Sequence, residues 1–142
     1  MNERHIVLVQ QSFASVAALG EQVADIFYGE LFDIDPTLRP MFKNNMHDTG
    51  RKLLATLEFV VTSLGHPDQF IPTAQALAIK HVEYGVTARH YTLVGKALMR
   101  TLEKGLGADF TADVRTAWIA AYQVLSDVMR QAAYGPIPTR AL

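Results

Sequence analysis

Apolar positions recur every three or four residues along nearly the whole chain, and nowhere do they alternate over the length of a strand. The pattern predicts an all-α fold. Ile6, Val9, Phe13 and Val16 form a first stripe that stops near Gly20. Val23, Ile26, Phe27 and Leu31 form a second, ending at Asp35-Pro36, an N-cap and first-turn pair that opens a short third helix. The polar run KNNMHD after Phe42 reads as an exposed, mobile loop. Leu53, Leu57, Val61 and Leu64 line the next helix, closed by Gly65 and Pro67. Pro72 is expected to open the following one, which carries Leu77 and His81 one turn apart and breaks at Gly85. Tyr91, Val94, Leu98 and Leu102 line a long helix ending at Gly107. Trp118, Tyr122, Leu125 and Met129 line the last, running from near Thr111 to just before Gly135-Pro136.

A chain of 142 residues fits one compact domain with one core. Residues 1–134 are expected to form it, with 135–142 as a short tail. Thirteen basic residues against 14 acidic ones leave no basic field for nucleic acid or an anionic membrane. With no cysteine there is no disulfide, thiolate zinc site, iron–sulfur cluster or covalently attached c-type haem. The amino terminus turns polar too early for a signal peptide, and no apolar run is long enough for a membrane span, so a cytoplasmic protein is expected.

The stretch KHVEYGVTARHY, Lys80 to Tyr91, concentrates two of the five histidines. His81 follows Leu77 by four residues, so both side chains project from one face about 6 Å apart along the axis. Taken alone, His81 reads as a neutral core histidine bonded to a backbone carbonyl. Its distance in sequence from His90, across a glycine break, does not suit a protein-only metal site. Haem iron, which brings its own four nitrogens, needs only one axial histidine.

The segments FYGELFDIDPTLRPMF, RKLLATL, KHVEYGVTARHYTLVG and AWIAAYQVLSDV, in that order over about residues 3–133, resemble the bacterial single-domain haemoglobins, whose globin module is shared with the flavohaemoglobins. The resemblance implies a globin fold, a helical sandwich round one non-covalent haem b, with His81 as the proximal iron ligand and Phe42 packed against the macrocycle. Tyr28 corresponds to the distal tyrosine, whose hydroxyl can donate a hydrogen bond to O2. Thr49 stands where many globins carry a distal histidine or glutamine, with Leu53 one turn later. Threonine is too short to close the sixth iron site, so a second protein ligand would have to be His47, otherwise a solvated loop residue. Lys52 and Arg51, and more weakly Lys80, are the propionate partners the resemblance suggests. Leu77, Val86, Val94, Leu98, Leu125 and Met129 are expected pocket walls, and Trp118 a packing residue.

Tyr91 matches the proximal tyrosine that flavohaemoglobin-like proteins pair with a glutamate, but Ala132 and Ala133 occupy the region where that glutamate is expected. This departure points away from peroxidase-like O–O cleavage and toward reversible binding of O2, with CO and NO as further ligands. The alternative is a nitric oxide dioxygenase. No flavin or nicotinamide domain follows residue 142, so redox cycling is expected to need an external reductase. A monomer or weak homodimer is expected.

Overall fold

The computed structural model describes residues 1–42, 46–83 and 86–134, apart from the side chains of His47 and Glu83. Its described residues form six α-helices and contain no strand: α1 Glu3–Ala17, α2 Glu21–Ile34, α3 Met46–Ser63, α4 Pro67–Glu83, α5 Ala88–Leu106 and α6 Ala112–Tyr134. Two short 3-10 helices, Pro36–Met41 and Gly107–Asp109, make corners. The all-α expectation holds.

The helix ends follow from short-range polar chemistry. Asn2 caps α1, its side-chain oxygen accepting from the His5 amide at 2.9 Å. Asp35 opens the first 3-10 helix as expected, its carboxylate accepting from the Thr37 amide at 3.0 Å and from the Thr37 hydroxyl at 2.5 Å. At α5 the Thr87 amide donates to His90 Nδ1 at 2.9 Å, so His90 serves a helix start. The Thr111 hydroxyl accepts from the Val114 amide at 3.2 Å where α6 begins.

Two boundaries differ from the sequence reading. Helix α4 starts at Pro67, not Pro72, which lies inside it. The His66 carbonyl accepts the first amides, from Gln69 at 3.0 Å and Phe70 at 2.9 Å. The missing Pro72 N–H therefore costs only a bond to the exposed first-turn residue Asp68, whose carbonyl water can reach. Met46 to Asp48, expected in a loop, form the first turn of α3. Asp48 there is a favourable charge at a helix N-terminus. Lys43 to Asn45 of that run lie outside the described residues, as do Gly85 and the tail from residue 135.

Helix α2 packs across α5 and α1 across α6, α3 lies against α1 and α2, and α4 meets the rest chiefly through α6. At the α2–α3 crossing a Cβ on Gly50 would stand 2.8 Å from the Ala24 Cβ, so glycine is what allows this approach. The larger core cluster runs from Val9 and Phe13 through Phe27, Tyr28 and Leu31 to Leu102 and Trp118. Trp118 packs as expected, 6.4 Å from the Phe13 ring, and its indole N–H donates to the Ser12 hydroxyl at 2.8 Å. A smaller cluster joins Val60, Phe70, Ala74, Ala78, Tyr91 and Met129.

Candidate functional site

His81 occupies the last turn of α4 and is half-buried. Its Nδ1 lies 2.7 Å from the Leu77 carbonyl. A carbonyl can only accept, so Nδ1 carries the proton and the imidazole lone pair resides on Nε2. The His81 carbonyl accepts from the Val86 amide at 3.0 Å, and the Val86 carbonyl from the Tyr134 hydroxyl at 2.8 Å. Both the ring and the backbone of His81 are therefore held by hydrogen bonds. Leu77, Val86 and Leu125 pack against the smaller cluster, which contains Tyr91 and Met129.

Tyr28 lies in the middle of α2, in the larger cluster. Its ring meets Phe27 and Phe42 edge-on, at 5.2 Å in each case, and stacks on Phe32 at 6.1 Å. Phe42 follows directly on the 3-10 helix, which carries its ring to Phe32 as well, at 5.3 Å. Burial pushes the Tyr28 hydroxyl up to about 12, so it stays protonated and able to donate at any neutral pH. Leu53 and Val94 pack against this same cluster. Thr49 is half-buried one turn before Leu53 on α3.

The candidate residues thus divide between two groups. Tyr28, Phe42, Leu53 and Val94 go with the larger cluster; Leu77, Val86 and Tyr91 go with the smaller, and His81 is bonded to Leu77. Leu64 packs against both. Arg51, Lys52 and Lys80 are exposed. The first turn of α3 carries His47, whose side chain lies outside the described residues.

Tyr91 is buried, and its hydroxyl has no hydrogen-bond partner among the described residues. Burial pushes it upward, the nearby Tyr134 phenol adds to the rise, and the Arg130 guanidinium opposes both. Ala133 packs beside this cluster, while Ala132 is exposed. The residue actually standing over the Tyr91 ring is Arg130, its Cζ 5.6 Å from the ring centroid. The sequence reading missed Arg130, together with the anchoring roles of Tyr122 and Tyr134. The available signal was the spacing of four that joins Tyr122, Ser126, Arg130 and Tyr134 beside the apolar stripe of α6.

Among the described residues no three His, Cys, Asp or Glu side chains come together to hold a metal ion. One oriented imidazole with its lone pair on Nε2, amid apolar walls, fits a metal that arrives in its own macrocycle.

The family model of the globins matches residues 25–129. The chain belongs to the globin family. Similar proteins include the flavohemoproteins of Bordetella parapertussis, 33% identical over 113 residues that make up 78% of this chain and 28% of that protein, and of Vibrio cholerae, 28% identical over 131 residues, 90% of this chain and 33% of that protein. This globin therefore spans about a third or less of those relatives' length. Among solved structures it is similar to an engineered carbene transferase from Rhodothermus marinus, provisionally a nitric oxide dioxygenase, with a TM-score of 0.84, 25% identity and coverage of 94% and 93% of the two chains. A bacterial globin from Campylobacter jejuni shares the fold, with a TM-score of 0.80 at 20% identity over 93% and 96% of the two chains. Globin family and flavohemoprotein relatives together imply a haem cofactor. No helix among the described residues is long and apolar enough to cross a membrane.

Proposed function

We propose that residues 1–134 form a globin domain that holds one haem b through His81 Nε2 and reversibly binds O2, with CO and NO as competing ligands. The observation that carries this reading is the 2.7 Å hydrogen bond from His81 Nδ1 to the Leu77 carbonyl, which orients the ring and leaves the lone pair on the other nitrogen. Haem b held by His81 would supply an iron able to bind diatomic gases. Leu77 and Val86 wall the His81 side, with Tyr91 beneath; Phe42, Leu53 and Val94 wall the other. Thr49 is too short to be an iron ligand and lines the distal side with Leu53. Tyr28 is the distal donor: its buried hydroxyl, protonated far above neutral pH, gives a hydrogen bond to a polarised diatomic ligand and slows its release. Lys52, with Arg51 and Lys80, supplies cations for the propionates, and exposure leaves these side chains able to reach them. A cytoplasmic monomer or weak homodimer belongs to the same reading.

The test is the absorption spectrum of the purified protein, ferric and then reduced, with and without CO. The expected result is a sharp Soret band that shifts with CO and a single broad visible band in the reduced, CO-free form. A split visible pair in that form would replace the open iron site with a second protein ligand, His47 first among candidates. No Soret band after addition of haem would overturn the reading and return His81 to the core.

The names of the relatives favour a second reading equally well: nitric oxide dioxygenase, in which NO, O2 and one electron give nitrate. The electron then comes from an external reductase or from a domain of the kind the longer relatives have room for. Nitrate formed with NO and a reductase present, at many turnovers per haem, would move this reading ahead; nitrate limited to one equivalent leaves reversible binding in front.

A further inference from the structure

Between α5 and α6 runs an open groove of about 570 Å³, within the size range of small-molecule sites. At Gly95 the Tyr122 ring lies directly against the α5 backbone, where a Cβ would stand 2.8 Å from it. Four cations line the groove, Lys96, Arg100, Arg115 and Arg130, against one carboxylate, Glu103. Arg100 is committed elsewhere, to Glu30 at 3.5 Å and Asp33 at 3.6 Å. Lys96 and Arg115 make no ion pair among the described residues. The wall between the charged ends is apolar, formed by Met99 and by Ile119, which is 46% exposed.

A second observation points to a ligand here. Tyr91, 5% exposed and part of the groove lining, has a hydroxyl with no hydrogen-bond partner among the described residues, and so does the buried Arg130 Nε–H beside it. Two buried donors without acceptors at one place are costly, and one of them is charged. Among the described residues the guanidinium makes one hydrogen bond, from Nη2 to the exposed Thr92 hydroxyl at 3.2 Å, and lies over the Tyr91 ring, which leaves its other N–H groups to an acceptor in the groove.

We propose that this groove is a binding site for a small organic anion, a phosphate or carboxylate whose charged head takes hydrogen bonds from Arg130 and Tyr91 and an ion pair from Lys96, and whose apolar body lies on Ile119 and Met99. Glu103, on the same wall one turn beyond Met99, repels the head and sets its direction. The Tyr122 hydroxyl donates to the Tyr91 carbonyl at 2.5 Å, so the groove floor is tied to the cluster that supports Leu77 and His81.

The experiment is calorimetric titration of the purified protein, with whatever haem it carries, using phenyl phosphate as probe in about 0.15 M NaCl to screen diffuse charge. The expected result is one saturable site with a dissociation constant near or below about 1 mM. Arg130→Gln and Lys96→Ala should each weaken it roughly tenfold or more, as loss of a charge-assisted contact does, while Arg4→Ala, an exposed cation on α1 outside the groove, leaves it unchanged. Absence of saturation at about ten times that concentration, unchanged binding by Arg130→Gln, or equal weakening by Arg4→Ala would each overturn the site. Should Arg130→Gln fold poorly, the pair Lys96→Ala and Arg4→Ala decides by itself. The Soret spectrum reports the haem reading separately, so either can fail without the other.

Discussion

Tyr28 and Tyr91 are both buried phenols raised by burial, yet their surroundings are opposites. Tyr28 sits among three phenylalanine rings on α2 and the neighbouring corner, within a core that joins α1, α2, α5 and α6. Tyr91 sits in a cluster to which α4 contributes Phe70 and two alanines, Ala74 and Ala78, with a guanidinium over its ring. The aromatic surroundings fix one hydroxyl in a rigid wall. The alanines bury little area per residue, so the cluster that holds the helix carrying His81 is the thinner of the two, with Phe70 and Leu77 as the larger α4 side chains in it.

The comparison can be broken most forcefully in the cores themselves. Leu102, 1% exposed in the larger cluster, should cost about 2–5 kcal/mol on truncation to alanine. Met129→Ala in the smaller cluster should fall at the low end of that same range of about 2–5 kcal/mol. Urea unfolding of both variants measures the gap, and a larger loss at Met129 would reverse the ranking of the two regions. Tyr28→Phe should leave stability nearly unchanged but raise the O2 dissociation rate about ten- to a hundredfold, the loss of one hydrogen bond of about 1.5–3 kcal/mol. Displacement of O2 by CO in stopped flow gives that rate, and no change would remove Tyr28 from the distal role.

Gly95→Ala should destabilise by about 1–3 kcal/mol through overpacking against Tyr122, read as a lowered urea midpoint. The pH profile separates the regions further. Glu30 is held below the usual carboxylate range first by its hydrogen bond with Lys104, against desolvation, and then by Arg100. Asp35 is held down first by the Thr37 hydroxyl, against desolvation, and then by the Thr37 amide and Arg89 at 3.2 Å. Their contribution is complete above the unfolded values near pH 4 and should fade as pH drops through the lower folded ones. Tyr28 acts in the opposite direction: its contribution is complete below pH 10 and should be lost between pH 10 and about 12. Thermal unfolding across both limits tests the signs, and Tyr28→Phe should blunt only the alkaline loss. The smallest effect should be a gain: Gly29→Ala, on the exposed side of α2 with nothing within 4 Å of a Cβ, should stabilise by up to about 1 kcal/mol.

Six helices and most of their ends were legible because apolar spacing and capping are local signals, as at Asp35 and Thr111. Pro72 misled because proline marks a helix start only by habit, and the His66 carbonyl with Pro67 supplied an earlier one. The run after Phe42 misled because polar residues suit a helix N-terminus as well as a loop. At the site, the family resemblance pointed to His81 and Tyr28, and the structure supplies the hydrogen bond and the aromatic surroundings around them. For Arg130 the spacing of four with Tyr122, Ser126 and Tyr134 gives the face of α6 it occupies, but its role depends on which ring α5 places beneath it, a pairing 39 positions apart that local spacing does not encode.

One contact carries a mechanical consequence. Tyr134, in the last turn of α6, is hydrogen-bonded to the Val86 carbonyl, and the Val86 amide to the His81 carbonyl. Tension applied at the end of α6 is thereby transmitted along a short strut of two hydrogen bonds to the backbone of His81. The end of the last helix is thus coupled to the backbone of His81 and not to its ring, which Leu77 holds separately.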